Sequence, residues 1–330
     1  MGPMTEKRRF LETLLGNGAD RFPYFDLEPA DGTLRRWQRE GLPNQCSVAE
    51  YFKLETHESV GLILRSRPFF GKADDLLTDP DAFERHYDPD DPARYGGNNE
   101  APWMQNRREG RVSYVDASGG GLLQMLGVGG WNSLITACLA MVENPGQVQR
   151  LLQRTVEFYC VCLERVLAKR AVDYASFYEP IASNAGPVIS PDMFKRYALP
   201  GFRKVLDLLD RHHVPLRILC TTGGDLSSLL GPLIDSGING LWISNIRSAG
   251  MAYKTLRRRF GPGIALIGGI PADALTRDKP ALRRTVRETA LPLLESGHYL
   301  PCLDDRPRRN VSFEQYTLYR RTLEDIAEKG

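Results

Sequence analysis

What most constrains this chain is a regular alternation. From Arg111 to the C-terminus, short apolar runs take turns with longer amphipathic stretches at intervals of roughly 30 residues. The runs Arg111 to Ala117, Tyr174 to Tyr178, Leu216 to Cys220, Gly240 to Ser244, Ile264 to Ile267 and Tyr299 to Cys302 predict strands. Between and after them, Gln147 to Lys169, Ser190 to about His212, Leu226 to Ser236, Ala252 to Phe260, Leu282 to Glu295 and Phe313 to Glu328 predict helices. Ser190 supplies a cap before Pro191, and Gly297 ends the helix that reaches Glu295. Strands separated by helices pair in parallel. With an N-terminal strand, Arg21 to Asp26, about seven or eight βα units fit, which favours a closed (β/α)₈ TIM barrel. An open doubly wound sheet is the alternative, but no GxGxxG follows the first strand. The 330 residues, 42% hydrophobic, are read as a single domain over 1–330.

The N-terminal third is less regular. Thr5 to Leu15 predicts an amphipathic helix capped by Thr5, with Phe10, Leu11, Leu14 and Leu15 on one face. Pro23 suits a first or lightly paired strand, which ends in the acidic pair Asp26 and Glu28. Gly32 to Pro43 follows as a short helix carrying Arg35, Arg36 and Arg39 about Trp37, either an anion-binding face or simply a solvated one. Cys46 to Leu64 and Asp79 to His86 also read as helices. Asp88 to Arg111 is rich in Pro, Asp, Asn and Gly, a long excursion with the character of a lid, carrying Trp103 and Met104.

Charge excludes a broad class of partners. With 43 basic and 41 acidic residues the net charge is +2, which gives no global attraction to nucleic acid or to a membrane surface. The six cysteines include no CxxC pair and no signal peptide precedes them, so free thiols and a cytoplasmic location are expected.

At the C-terminal strand ends, where a barrel gathers its active site, stand Asp26, Glu28, Asp116, Glu179, Ser183, Thr221, Thr222, Asp225, Asn245, Asp304, Asp305 and Arg306. The stretch VPLRILCTTGGDLSSLLGP, Val214 to Pro232, joins a buried strand to a helix through Gly223-Gly224. Such a turn lets a ligand approach the backbone, though it also serves as an ordinary connector. Glu179, after an apolar strand and before Pro180, suits acid–base work if burial raises its pKa; equally, it would hold a loop through backbone N–H groups. The cluster Asp304, Asp305, Arg306, Arg308 and Arg309 offers guanidinium groups to a carboxylate or phosphate, or forms an internal ion-pair network. No GxSxG, P-loop or HExxH is present, and the histidines and cysteines lack ligand spacing.

Five segments in order resemble the uroporphyrinogen decarboxylase (URO-D) superfamily, which also includes zinc-dependent, corrinoid-linked methyltransferases. They are EPIASNAGPVISPDMFKRYALPGFRKVLDLL from Glu179, CTTGGDLSSLLGPLIDSGING from Cys220, GMAYKTLRRRFG, ALIGGIPADAL and DDRPRRNVSFEQY. With RRFLETLLGNGADRFPYFD, the resemblance covers nearly the whole chain except roughly residues 60 to 112, and implies a URO-D-like barrel with its pocket at the strand C-termini. TLRRWQREGLP looks like a large, poorly characterised subgroup. In the methyltransferase branch a His-x-Cys and a further Cys or His hold zinc; here Thr221, Gly223 and Asp305 stand at those positions. The decarboxylase branch has an RxxGR, which has no counterpart in DLEPADGTLRRWQREGLP, and an Asp that stabilises a pyrrole cation.

The resemblance implies a decarboxylase-like lyase acting on an anionic, carboxylated and tetrapyrrole-related small molecule, without an organic cofactor. Asp26, Glu179 or Asp305 would move a proton or stabilise charge, and Arg306, with Arg35 or Arg36, would bind the anion. Ser183, Thr221, Thr222, Asp225, Asn245 and Asp304 would complete the substrate site. The alternatives are a methyltransferase partnered by a corrinoid protein, with Glu179 and Asp305 holding a harder metal, and a non-catalytic tetrapyrrole or corrinoid binder. A homodimer is expected, since relatives are often dimers.

Overall fold

A computed structural model describes residues 4–16, 18–64, 83, 86–95, 110–118, 121–128, 131–179, 181–183, 185–221 and 223–328. Its strands are β1 (Glu58–Ser59), β2 (Ser113–Asp116), β3 (Tyr174–Tyr178), β4 (Ala182–Ser183), β5 (Gly186–Pro187), β6 (Leu216–Thr221), β7 (Gly240–Ile243), β8 (Ala265–Ile267) and β9 (Tyr299–Leu300). β4 and β5 form a small hairpin, while the other seven make one all-parallel sheet in the order β1-β2-β3-β6-β7-β8-β9. Helices cross between the strands as predicted: Pro145–Leu167, Leu199–Arg211, Ser227–Asp235, Tyr253–Phe260, Lys279–Glu295 and Phe313–Ala327.

The sheet curls. Strands lie about 4.8 Å apart, so in a flat sheet β1 and β7 would be about 19 Å from each other. Yet the Phe25 ring stacks on His57, just before β1, at 4.6 Å between centroids and meets Trp242 of β7 edge-on at 5.5 Å. The inner face thus encloses Tyr174, Leu216, Ile218, Ala265, Ile267, Leu300 and Cys302. The helix Glu6–Leu14, capped by Thr5, adds Phe10 and Leu14 to that cluster at the N-terminal ends of the strands. A larger cluster fills the layer between sheet and outer helices, including Val115, Ala175, Phe177, Leu219 and Leu241.

Closure differs from the expectation. The segment 21–26 forms no ladder: Glu55 N–H donates to Tyr24 O at 2.6 Å on one side, and on the other Leu303 N–H donates to the Asp26 carboxylate at 2.9 Å. Pro23 has no N–H to donate, and a side chain does the work of a backbone acceptor. Among the described residues the architecture is therefore a curled seven-stranded parallel sheet within a mixed α/β fold, consistent with a TIM-like design. Helix formation over Cys46 to Leu64 is also curtailed. The Ser47–Glu50 capping box starts only Val48–Tyr51, after which Lys53 takes φ +52° and the chain turns into β1. Of the expected lid, residues 96–109, with Trp103 and Met104, lie outside the described residues, as does most of Asp79 to His86. The start of the excursion is pinned: buried Arg94 donates to the carbonyls of Asp88, Ile63 and His86.

Candidate functional site at the strand C-termini

Strand alternation decides which side chains face the interior. On β3, Tyr174 belongs to the inner cluster and Phe177 to the outer one, so Tyr178 faces inward with Tyr174. On β6 and β7 the inward residues near the open end are Cys220 and Trp242; on β2 they are Tyr114 and, beyond it, Asp116. Tyr114 stacks on Tyr174 at 4.9 Å, and His57 Nδ1 lies 3.0 Å from Tyr174 Oη. Burial pulls the His57 imidazole down to about 3, so it stays neutral, and its buried Nε2 has no hydrogen-bond partner among the described residues. Nearer the opening, Tyr178 is 40% exposed and Asp116 is exposed. Burial, with Asp116 beside it, pushes the half-buried Cys220 thiol up to about 12, so Cys220 is a weakly polar wall rather than a thiolate.

Past β9 the rim becomes charged. Asp305 Oδ2 accepts from Asn245 Nδ2 at 3.2 Å and from Arg308 Nη2 at 3.0 Å, while its Oδ1 accepts from Arg306 N–H at 2.7 Å. Partial burial would raise this carboxyl, but these hydrogen bonds and the Arg308 charge outweigh it and hold Asp305 below the usual range. Asn245 reaches it from a left-handed backbone (φ +47°), a conformation Asn tolerates better than most residues. Arg306 is exposed and has no ion-pair partner among the described residues. Asp304 is 3% exposed and accepts from Ala272 N–H at 2.9 Å; burial lifts it to about 6. It serves as an anchor for the Ala272–Thr276 turn.

The glycine turn after β6 packs on the β4–β5 hairpin. A Cβ on Gly224 would sit 2.7 Å from the Ala182 carbonyl carbon, and φ is +144°, so both space and backbone demand glycine. Asp225 N–H donates to Ser183 O at 3.1 Å, while the Ser183 hydroxyl donates to Gly186 O. The Ser227 side chain and then the Ser227 N–H, which donates to the Asp225 carboxylate at 2.8 Å, lower its pKa, and the backbone bond anchors the start of helix Ser227–Asp235. Thr221 shares the outward phase of Leu219 and is buried; Thr222 lies outside the described residues.

Against models of protein families, residues 123–299 match the one described as uroporphyrinogen decarboxylase (URO-D), a span of more than half the chain. The chain belongs to the uroporphyrinogen decarboxylase family. No curated protein matches it.

Within this URO-D family chain the expected site residues divide. Asn245, Asp305 and Arg306 gather on the rim, and Ser183 and Asp225 meet at the neighbouring turn. Two of the three proposed catalytic carboxylates do not open on the mouth. Asp26 is 8% exposed and sealed by four donors: Arg320 Nη1 at 2.9 Å, the hydroxyls of Tyr316 and Tyr319 at 3.1 Å each, and Leu303 N–H at 2.9 Å. Burial pushes Asp26 up, while Arg320 and the other donors pull toward the ionised form that so many donors favour. Glu179 continues the ladder through its N–H to Cys220 O, so it keeps the outward phase of Phe177. Its fully buried carboxyl accepts from Leu123 N–H at 3.4 Å, and burial raises it to about 8. A Cβ on Gly121 would lie 2.4 Å from Glu179 Oε2, so glycine there makes room for the acid. The contact with Leu123 N–H is the loop-holding one of the two sequence readings, while Glu179 Oε2 is buried without a hydrogen-bond partner among the described residues.

Arg35 and Arg36 ride on helix Asp31–Arg39, whose buried Thr33 and Trp37 bond to the loop carbonyls of Pro307 and Val311. Arg36 is occupied, bonded to Glu40 and to Arg309 O. Trp37 is fully buried, with its N–H donating to Val311 O at 2.9 Å, and so is not part of a basic surface. The sequence reading missed Tyr114, Tyr178, Trp242 and His57 as wall residues. The period-two count that predicted the strands also carried the signal for the three on strands, once an inward neighbour fixed the phase. A zinc site of the thiolate type has no donor set here: Thr221 faces the helices, Gly223 lacks a side chain and Asp305 is engaged by Asn245 and Arg308.

Proposed function

We propose that this URO-D family protein is a decarboxylase-like lyase acting on an anionic, carboxylated small molecule, with tetrapyrrole-related polycarboxylates as the first candidates. The observation that carries the reading is the pairing, on one loop after β9, of an ionised Asp305 fixed by Arg308 and Asn245 with an exposed Arg306 that has no ion-pair partner among the described residues. A guanidinium binds a carboxylate bidentately. The fixed carboxylate stabilises a substrate that becomes cationic on protonation. The first proton comes from solvent; the bond to the carboxylate carbon then breaks, CO₂ leaves, and the electron pair moves into the substrate's π system and cancels the positive charge, after which a second proton from water takes the place of the lost group and the first returns to solvent. The partly exposed aromatic wall of Tyr114, Tyr178 and Trp242 supplies an apolar surface for the substrate's body and keeps water from the rest of it.

The test is release of labelled CO₂ from a panel of tetrapyrrole and aromatic polycarboxylates. Asp305→Asn is expected to cut kcat by roughly 100-fold or more, and Arg306→Ala to raise KM by about 10-fold with a smaller change in kcat. No CO₂ from any of the panel, together with methyl transfer to or from a corrinoid protein, would replace this reading with the methyltransferase one.

A further inference from the structure

Helix Asp31–Arg39 has two unlike faces. Thr33 and Trp37, one turn apart, are fully buried and bond to the carbonyls of Pro307 and Val311. Arg35 and Arg39 lie two residues further on in each case, about 200° around the helix, and are exposed. On that outer side is a groove of about 530 Å³ lined by Gly32, Arg35, Gln38, Arg39, Asn44 and Arg309. Arg309 is brought there by the loop that the inner face holds, and its side chain runs beside Gly32. None of the three arginines has an ion-pair partner among the described residues, and no acidic side chain lines the groove. Glu40, the nearest candidate in sequence, is already bound by Arg36 and by Phe313 N–H.

The three arginines line one concavity with no acid among its lining residues; Arg39 feels the charge of Glu40 and gives its Nε–H to Arg35 O, which leaves its terminal nitrogens, with the forks of Arg35 and Arg309, for a ligand. Gln38 and Asn44 add amide donors beside them. We propose that this groove is a binding site for a compact polyanion, a ligand presenting several anionic oxygens in phosphoryl or carboxylate form. Its lining shares no residue with the rim formed by Asp305 and Arg306, and it does not depend on the reaction assigned there.

Isothermal titration of the full chain with inorganic pyrophosphate, and separately with citrate, tests it. Saturable binding at one site per chain is expected, weakening as salt is raised. The double variant Arg35→Ala/Arg39→Ala should weaken it by at least about 10-fold, and Arg309→Ala by a similar factor. Arg35→Lys/Arg39→Lys, which keeps the charge but loses the fork, should fall between. Pyrophosphate binding alone would assign the phosphoryl source and citrate alone the carboxylate source. Arg306→Ala should leave the titration unchanged, so that failure of the rim chemistry and failure of this site are read separately. These are surface side chains, and unchanged thermal midpoints certify that the variants fold. Absence of saturable binding by either anion, or equal binding by the double alanine variant, would overturn the proposal.

Discussion

Two aspartates of this molecule each stand beside an arginine near the C-terminal ends of the strands, and they have opposite fates. Asp26 and Arg320 are almost wholly buried, and four donors close round the carboxylate. Asp305 is held as firmly on one side, by Asn245 and Arg308, yet stays partly exposed next to an Arg306 that pairs with nothing among the described residues. In the first the carboxylate is fully engaged and enclosed, while Arg320 Nε and Nη2 are buried without a hydrogen-bond partner among the described residues. The second is fixed but incomplete, which is the condition for binding and for chemistry. The same residue types thus hold the fold together where they are enclosed, and stay accessible to a ligand where they stand at a rim.

Breaking the buried pair should have the largest effect. Asp26→Ala strands a buried guanidinium and is expected to cost roughly 3–5 kcal/mol in denaturant unfolding; a loss below about 1 kcal/mol would erase the distinction drawn above. Glu179 comes next. Its ordinary value of 4.5 is raised by burial to about 8 in the fold. Its contribution is therefore complete below the ordinary value and is lost as pH rises toward the folded one. Glu179→Gln should flatten the stability profile across that window, with a gain on the order of 3 kcal/mol over the parent at pH 9; parallel profiles for the two proteins would show that this acid does not stay protonated. Trp37→Phe keeps the ring but leaves Val311 O without its donor, for a loss of about 1–3 kcal/mol by the same unfolding measurement. Smallest is Arg308→Ala on the rim, where the exposed pair with Asp305 should cost less than about 1 kcal/mol of stability. A larger loss would move Asp305 into the structural class with Asp26.

Much of the fold was legible along the chain. Tyr174–Tyr178 falls where its apolar run predicts, and the later strands and helices match within a few residues, because amphipathic period and capping are local properties. The failures are equally physical. The predicted strand Arg21 to Asp26 lacks a ladder because its neighbours offer it one backbone hydrogen bond and a side-chain contact, and neither partner is near in sequence. Cys46 to Leu64 has helical composition, but Lys53 in a left-handed conformation ends the helix early. The candidate site was read less well than the fold. Asp305, Arg306 and Asn245 were named from their place after strands and stand together in the structure, whereas the surroundings of Asp26 and Glu179 depended on residues far along the chain, Tyr316 to Arg320 for one and Leu123 for the other.

By itself the sequence determined the α/β class, the parallel pairing implied by helical crossovers, the near-neutral charge and the membership of a family, since all of these follow from spacing and residue type. Only the tertiary structure decided which acids are sealed and which are open, which aromatic rings line the interior, and where unpaired guanidinium groups meet. The reason is that desolvation and hydrogen-bond saturation belong to a place in three dimensions. A carboxylate's chemistry is set by who surrounds it, and its neighbours in space are written hundreds of residues away.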